Sequence, residues 1–352
     1  MSSPPSPLSP LGPLRVRLLP MFPLGILEGG LEVQCLKTCQ SLGGAGIDAQ
    51  LLDYYRRDDR FDLLHLFGST ENYYDICQQV AGRWPIVISA VTGAPSAVWW
   101  RGPIWSSVSR LAAKAKLPTS YSRMRSVYHL AAAVICLNQL EADFLARTYG
   151  LPRERIRIIS NGVDDRNFQA EPRLFVEKYG ISDFVLYTGN IVQRKNPVNL
   201  AEALSRMGLP GLFIGRRVAA EEDYGERFAA IVDRSPKLHW IEGLAHDDPL
   251  LASAYAGAKI FCLPSTSETQ SLSALEAMAA GAPILLGDYP YARQSPFESA
   301  LRCDPLNSAS IEMALARVMA EPDRYRHQLP QTYRWNQVAA RIADLYHEIC
   351  DR

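Results

Sequence analysis

The 352-residue sequence has no excess of charge, since Lys and Arg total 37 and Asp and Glu total 37. This balance gives no reason to expect a nucleic-acid partner. The sequence contains no apolar run of about 18 residues, which a membrane-spanning helix requires. It also lacks the basic start followed by an apolar core that is typical of a signal peptide. Its seven cysteines form no C-x-x-C pair, which predicts reduced, buried thiols in a cytoplasmic protein.

Two motifs of cofactor chemistry are also missing. No D-x-D segment occurs, so we expect no metal site and no metal requirement, and any anionic leaving group must be held by side chains and helix termini. No G-x-G-x-x-G segment follows a predicted strand, which disfavours a dehydrogenase.

Acidic residues are absent from Cys77 to Leu140, a span that carries seven Lys or Arg residues with Trp and Tyr between them. Residues 98–128 are the most basic and aromatic part. One interpretation is a peripheral membrane contact or an anionic, lipid-linked acceptor. The alternative is a solvated basic face beside packed aromatics; RNA binding is the weaker hypothesis, because no nucleic-acid module accompanies these residues.

Short apolar runs separated by helical patterns predict an α/β protein with parallel sheets. The strand candidates are residues 15–19, 48–52, 63–66, 85–91, 131–137, 155–159, 184–187, 212–215, 237–242, 260–263, 284–286 and 301–304.

The stretch from Lys259 to Asp288 organises the chain. An apolar run stops at Pro264, a polar loop follows, and a short helical pattern with Ser271 or Ser273 as N-cap leads to a second apolar run. This is a βαβ unit, whose loop faces a ligand crevice and whose helix N-terminus suits a phosphate.

Two carboxylates, Glu268 and Glu276, lie on the loop and the helix of this unit. A carboxylate repels phosphate but accepts hydrogen bonds from paired hydroxyls, with about 1.5–3 kcal/mol for each charged bond. A phosphate site between two hydroxyl-binding groups indicates a nucleotide-sugar ligand.

Four segments resemble a known family, the family-4 retaining glycosyltransferases of GT-B fold. Glu268 to Glu276 resembles its E-x7-E signature, and residues 275–283, LEAMAAGAP, are close to its consensus. Residues 158–164, IISNGVD, resemble its P-N-G-V-D segment with Ser160 in place of Pro. Residues 186–196, LYTGNIVQRKN, resemble its G-R-x4-K motif. The resemblance covers roughly residues 150–345 well and the N-terminal half loosely.

The resemblance implies a GT-B fold, with two Rossmann-like domains facing a cleft, and transfer of a sugar from a nucleotide-sugar to a hydroxyl acceptor with retention. It implies catalytic roles for Glu268, which contacts the donor sugar, and for Lys195, which holds the diphosphate. Arg194 is predicted to substitute for the family's Arg as a second cation, with a solvated Arg194-Lys195 pair as the structural alternative. The implied donor-binding residues are Gly189, Asn190, Lys195, Ser271, Leu272 and Glu276, the last holding the ribose hydroxyls. Asn190 stands where the family has Arg, and Ser271 where it has Gly.

The acceptor side is predicted from loops that follow strands of the N-terminal half. Gly29 and Gly30 match the glycine-rich first loop of GT-B proteins, with a tight turn as the structural alternative. His65 lies near a strand end, where it contacts an acceptor or is a structural histidine. Thr92 and Gly93 follow a strong strand and are expected to face the crevice.

The resulting domain prediction assigns residues 1–13 to a Pro/Ser tail, 14–165 to an acceptor-side domain, 166–182 to a linker and 183–330 to a nucleotide-sugar domain. Residues 331–352 are predicted to form a C-terminal helix. In GT-B proteins such a helix commonly crosses back onto the N-terminal domain. We expect glycan, polysaccharide or glycolipid synthesis in the cytoplasm, with contact at the inner membrane face as a further hypothesis. The alternatives are a non-catalytic GT-B partner subunit and another GT-B enzyme, such as a nucleotide-sugar epimerase.

Overall fold

The computed structural model describes residues 12–25, 29–56, 60–92 and 119–351. The predicted Gly93, residues 98–118 of the basic segment and residues 1–11 of the predicted tail lie outside these ranges. Among the described residues, no helix is both long and apolar enough to cross a membrane.

The first half of the chain forms a six-stranded sheet with the order β2-β1-β3-β4-β5-β6. Every neighbouring pair in it is parallel. Its strands are β1 Arg15–Pro20, β2 Asp48–Leu51, β3 Leu63–Phe67, β4 Ile86–Ser89, β5 Ala133–Cys136 and β6 Ile156–Ile158.

The second half forms another parallel six-stranded sheet, with the order β12-β11-β10-β7-β8-β9. Its strands are β7 Val185–Thr188, β8 Gly211–Ile214, β9 Leu238–Ile241, β10 Ile260–Leu263, β11 Ile284–Gly287 and β12 Leu301–Cys303. Each predicted strand is found, and the α/β GT-B fold with two Rossmann-like sheets is confirmed.

Helices connect the strands, as parallel pairing requires. The α-helices are Gly30–Leu42, Tyr74–Val80, Ser120–Leu130, Gln139–Tyr149, Asp165–Phe168, Arg173–Tyr179, Pro197–Met207, Glu222–Asp233, Pro249–Gly257, Leu272–Ala279, Ser308–Ala320 and Trp335–Cys350. The core strands are buried along their whole length, for example β4, β5, β7 and β10. Sheets covered on both faces by helices produce such continuous apolar runs.

The last helix, Trp335–Cys350, packs on the sheet of the first half. Its apolar positions follow a helical period, and Trp335, Val338, Ile342 and Tyr346 are all buried in one cluster with residues of β1 and of helix Gly30–Leu42. The chain therefore crosses twice between the halves, once near residue 163 and once near residue 335.

Gly162 lies at the point where these two crossings touch. The Val163 N–H donates to the Tyr333 carbonyl at 2.7 Å, and the Trp335 N–H donates to the Val163 carbonyl at 3.3 Å. A Cβ on residue 162 would lie 2.6 Å from Cε3 of the Trp335 ring. Glycine is therefore required here by the close approach of the indole.

His65 belongs to the core, so of its two interpretations the structural histidine is confirmed and the contact with an acceptor in the cleft is wrong. It is completely buried within β3. Its Nδ1 lies 2.6 Å from the Tyr346 hydroxyl and its Nε2 lies 2.9 Å from Oγ of Ser89. Burial lowers the pKa of His65 to about 3. The strand continues to Phe67, so His65 faces the last helix instead of following the strand end.

We predict that Gly162→Ala destabilises the fold by about 1–3 kcal/mol, because the new methyl group must displace the Trp335 ring. Urea unfolding measures the change. Gly43→Ala is the matched control, since Gly43 has a helical φ of −57° and no atom within 4 Å of its added Cβ. Equal stability of Gly162→Ala and wild type would contradict the proposed contact.

We predict that His65 lowers the free energy of unfolding at acidic pH. The unfolded chain protonates His65 below about pH 6.5, whereas the folded chain keeps it neutral, so stability falls with decreasing pH by about 1.4 kcal/mol per unit. From pH 7.5 to 5 the loss is about 2 kcal/mol. In His65→Gln this part of the slope should vanish in urea titrations at the two pH values; an unchanged slope would rule out a neutral His65.

Candidate active site

A cleft of about 550 Å³ lies between the two halves, where the carboxyl ends of both sheets meet. Its volume is in the range of small-molecule sites. Loops after parallel strands form such crevices, because every strand of the sheet ends on the same side. The first half contributes Gly29, Gly30, Val91, Leu137 and Asn161, among others, and the second half contributes most of the charged groups.

Glu268 faces two cations at one side of the cleft. Its Oε1 lies 3.0 Å from a guanidinium nitrogen of Arg194 and 3.5 Å from Nζ of Lys195. Ser265 also donates its hydroxyl to this oxygen at 3.2 Å. Both cations come from one short turn, Gln193–Lys195, so a single loop after β7 brings two positive charges to the cleft.

Gly189 makes room for Lys195. Its φ of +143° is a conformation that favours glycine, and a Cβ there would lie 2.8 Å from Nζ of Lys195. The next residue, Asn190, lines the cleft, while its carbonyl accepts a hydrogen bond from the Tyr187 hydroxyl at 2.9 Å. The ammonium group therefore occupies the space above the glycine.

Glu276 is a second, buried carboxylate that lines the cleft. Its Oε2 accepts a hydrogen bond from the Tyr255 hydroxyl at 2.9 Å, and its Oε1 lies 3.4 Å from Nδ1 of His246. Burial raises the pKa of Glu276, and the neighbouring His246 and the Tyr255 hydrogen bond oppose this effect. The Tyr255 hydroxyl is also hydrogen-bonded to the Thr188 hydroxyl, at 2.8 Å.

A chain of polar and charged side chains joins Glu276 to the first half of the protein. Nε2 of His246 lies 3.8 Å from Oδ2 of Asp164, which lies 2.8 Å from Nζ of Lys37. Lys37 belongs to the helix Gly30–Leu42, whose first residues line the cleft. The position of the Glu276 carboxylate thus depends on groups from both halves.

The helix Leu272–Ala279 begins at the cleft. Ser271 is its N-cap, accepting a hydrogen bond from the Ala274 N–H at 3.2 Å, so the first of the two predicted caps is confirmed. The Leu272 side chain faces Gly30, where an added Cβ would lie 3.6 Å from it. Unpaired N–H groups and the positive end of the helix dipole are therefore directed at the cleft.

The loop before this helix attaches the second half to the first. The Thr269 hydroxyl donates to the Thr92 carbonyl at 2.7 Å, and the Asn138 amide donates to the Thr269 carbonyl at 2.7 Å. The Asn161 N–H donates to Oε1 of Gln270 at 2.8 Å.

Thr92 holds this junction, and its predicted orientation toward the cleft is wrong. Its hydroxyl and its N–H both donate to Oε1 of the buried Glu141, at 2.9 and 2.5 Å. Burial raises the pKa of Glu141, against hydrogen bonds from Leu137 and Thr92 that lower it. The side chain that sequence reasoning assigned to the crevice therefore turns toward the helix Gln139–Tyr149.

The structure brings most of the predicted residues together in one cleft: Gly29, Gly30, Gly189, Asn190, Arg194, Lys195, Glu268, Ser271, Leu272 and Glu276. Sequence reasoning missed others that line it: Asn161 and Gln270 as a pair, Arg216, His246 and Tyr255. Tyr255 and His246 reach Glu276 from other elements, so no short-range spacing could have identified them.

We predict that Tyr255→Phe destabilises the fold by about 1–3 kcal/mol, because Glu276 loses a buried donor. In the Glu276→Gln background the same change should cost less, since the lost bond no longer involves a charge. Urea unfolding of the four proteins measures this coupling. The control is Tyr224→Phe, because the Tyr224 hydroxyl accepts the Val198 N–H at 3.3 Å. If Tyr255 and Glu276 are coupled no more strongly than Tyr224 and Glu276, the hydrogen bond between Tyr255 and Glu276 is contradicted.

Two family models match the chain. One, described as Glycosyltransferase Family 4, matches residues 40–167, and the other, described as Glycosyl transferases group 1, matches residues 173–335. A similar curated protein is the MMP alpha-(1→4)-mannosyltransferase of Mycolicibacterium hassiacum, 24% identical over 76% of this chain and 64% of its own length. Another is the D-inositol 3-phosphate glycosyltransferase of Streptomyces bingchenggensis, 24% identical over 80% of this chain and 68% of its own length. The chain thus spans about two thirds of these relatives.

Solved structures share the fold. Sucrose-phosphate synthase from Thermosynechococcus elongatus has a TM-score of 0.74 at 15% identity, covering 96% of this chain and 99% of its own. Anabaena Alr3699/HepE in complex with UDP and glucose has a TM-score of 0.63 at 14% identity, covering 96% of each chain. Each half of the chain thus matches a glycosyltransferase family model, and the two parallel sheets facing one cleft form the GT-B fold.

Proposed function

We propose that this protein transfers a sugar from a nucleotide-diphosphate sugar to a hydroxyl acceptor, with retention at the anomeric carbon and without a metal ion. The observation that carries the proposal is that one cleft is lined by Glu276, by the N-terminus of helix Leu272–Ala279, and by Lys195 beside Glu268. These three kinds of group match the ribose, the diphosphate and the sugar of such a ligand.

Glu276 accepts hydrogen bonds from the ribose hydroxyls in this proposal. Its two oxygens are fixed by Tyr255 and His246, and a fixed carboxylate is a strong acceptor for a pair of hydroxyls. The protein named as a complex with UDP and glucose has the same fold, which supports a nucleotide as the donor's carrier.

Lys195, Arg194 and the free N–H groups that follow Ser271 stabilise the departing diphosphate. As the bond between the anomeric carbon and the diphosphate oxygen breaks, negative charge grows on that oxygen, and fixed positive groups bind this state better than the ground state. The acceptor oxygen bonds to the same face of the sugar, and its proton passes to the diphosphate. Glu268 contacts the donor sugar beside the two cations.

The acceptor is a glycan or a lipid-linked hydroxyl compound. The names of the curated relatives specify sugar transfer, in one case with an inositol phosphate, and the acid-free segment from Cys77 to Leu140 suits an anionic acceptor. A peripheral contact with the inner membrane face through residues 98–128 belongs to the same proposal, as does a cytoplasmic location.

We predict that a nucleoside diphosphate or its sugar stabilises the protein by about 2.7 kcal/mol at 100 times its dissociation constant. The compounds to be tested are UDP, GDP, ADP, UDP-glucose and GDP-mannose. Thermal unfolding and calorimetry measure the binding of each. Lys195→Met should weaken binding about 10- to 100-fold, the equivalent of one charge-assisted bond. Glu276→Gln should weaken it through the ribose.

Lys259→Met is the matched control, because Lys259 precedes β10 at the edge away from the cleft and lies 3.6 Å from the exposed Asp183. It should bind as wild type does. If none of the five compounds binds, the proposed function is wrong. Binding with neither donor hydrolysis nor transfer would instead identify a non-catalytic partner subunit.

A further inference from the structure

Two amide side chains at the floor of the cleft are left with unused hydrogen-bonding atoms. Oδ1 of Asn161 and Nε2 of Gln270 are buried and have no partner among the residues that the structure describes. Both residues line the cleft and are more than nine-tenths buried, with exposures of 4% for Asn161 and 8% for Gln270. Buried amide groups without partners are rare, because the lost hydration is not replaced.

The two residues are held beside each other by a contact that leaves these atoms unused. Oε1 of Gln270 accepts the backbone N–H of Asn161 at 2.8 Å. Gln270 precedes the cap Ser271 and follows Glu268 by two residues, whereas Asn161 follows β6 at the first crossing between the halves. The amide orientation of Gln270 is set by this bond, because only the oxygen can accept an N–H.

The unused atoms are one acceptor and one donor. A hydroxyl group satisfies both at once, since it accepts from Nε2 and donates to Oδ1. A phosphate or carboxylate oxygen does not, because it has no proton for Oδ1, and an ammonium group does not, because it cannot accept from Nε2. The pair therefore discriminates in favour of a neutral hydroxyl.

We propose that Asn161 and Gln270 form a hydroxyl-recognition subsite that binds one hydroxyl of a sugar or polyol ring. This inference rests on the proposed function and specifies how its cleft selects a substrate. The hydroxyl comes either from the donor sugar beside Glu268 or from the acceptor on the side of the first half. Sites built to pair a substrate hydroxyl reject analogues that lack it, because their own polar groups then stay unpaired.

Two near-isosteric substitutions separate the subsite from its structural surroundings. Asn161→Leu removes Oδ1 but keeps the backbone N–H that Gln270 accepts. Gln270→Glu keeps an accepting oxygen and removes the donor. Asn138→Asp is the control for the junction: it loses the amide that donates to Thr269 at 2.7 Å and keeps the oxygen that caps the Glu141 N–H at 2.9 Å.

The experiment compares the dissociation constant of a nucleotide-sugar with that of its nucleoside diphosphate, using UDP-glucose with UDP and GDP-mannose with GDP. If the subsite reads the donor sugar, both variants lose about 3- to 10-fold of the preference for the sugar form and bind the diphosphate as wild type does. A folding defect would instead weaken both ligands together.

In the second part of the experiment, KM is measured for two acceptors, D-inositol 3-phosphate and methyl α-glucoside, at a saturating concentration of the donor. If the subsite reads the acceptor, both variants raise this KM about 3- to 10-fold without changing the sugar-to-diphosphate preference. The proposal is overturned if neither quantity changes, or if Asn138→Asp changes them equally. If wild type binds no nucleotide, both the proposed function and this inference fail. If wild type binds and both variants keep the wild-type donor preference and the wild-type acceptor KM, the subsite alone is refuted.

Discussion

The two halves are held face to face by the loop of eight residues, 264–271, between β10 and the helix Leu272–Ala279. Thr269 and Gln270 exchange side-chain and backbone hydrogen bonds of 2.7–2.8 Å with Thr92, Asn138 and Asn161. The same loop carries Glu268 and leads directly into the helix that carries Glu276. The carboxylates of the site are therefore positioned relative to both sheets, and any rotation of one half changes the spacing across the cleft.

The two carboxylates have opposite surroundings, which fits two different tasks. Glu268 faces two cations, whereas Glu276 faces a phenol and an imidazole. Glu276 is the more deeply buried, and burial raises its pKa. A buried carboxylate gains from further hydrogen-bond donors, which in the proposed function are the ribose hydroxyls. His246 and Asp164 link this carboxylate to Lys37 of the first half.

The sequence predicted the strands because each is a short, continuous apolar run, and it predicted most cleft residues because four segments resemble the motifs of a known family. It could not predict the partners of Glu276, since Tyr255 and His246 lie on other elements and meet it only in the folded sheet. His65 shows the limit of the strand-end rule: it lies inside β3, two residues before the strand ends at Phe67, and is buried. Nothing in the local pattern indicates that Tyr346, 281 positions away, covers it.

The departures at Asn190 and Ser271 can be understood through their neighbours. Ser271 caps the helix because its hydroxyl accepts the Ala274 N–H. The N–H groups after Ala274 bond within the helix, and those before it are the ones that the proposed function assigns to the diphosphate. Asn190 supplies no charge, but Gly189 leaves space into which Lys195 extends, and Arg194 adds a second cation from the same turn. Glu268 holds both cations near the cleft. In the proposed function, a diphosphate therefore meets cations that are already in position, so little reorganisation accompanies its binding.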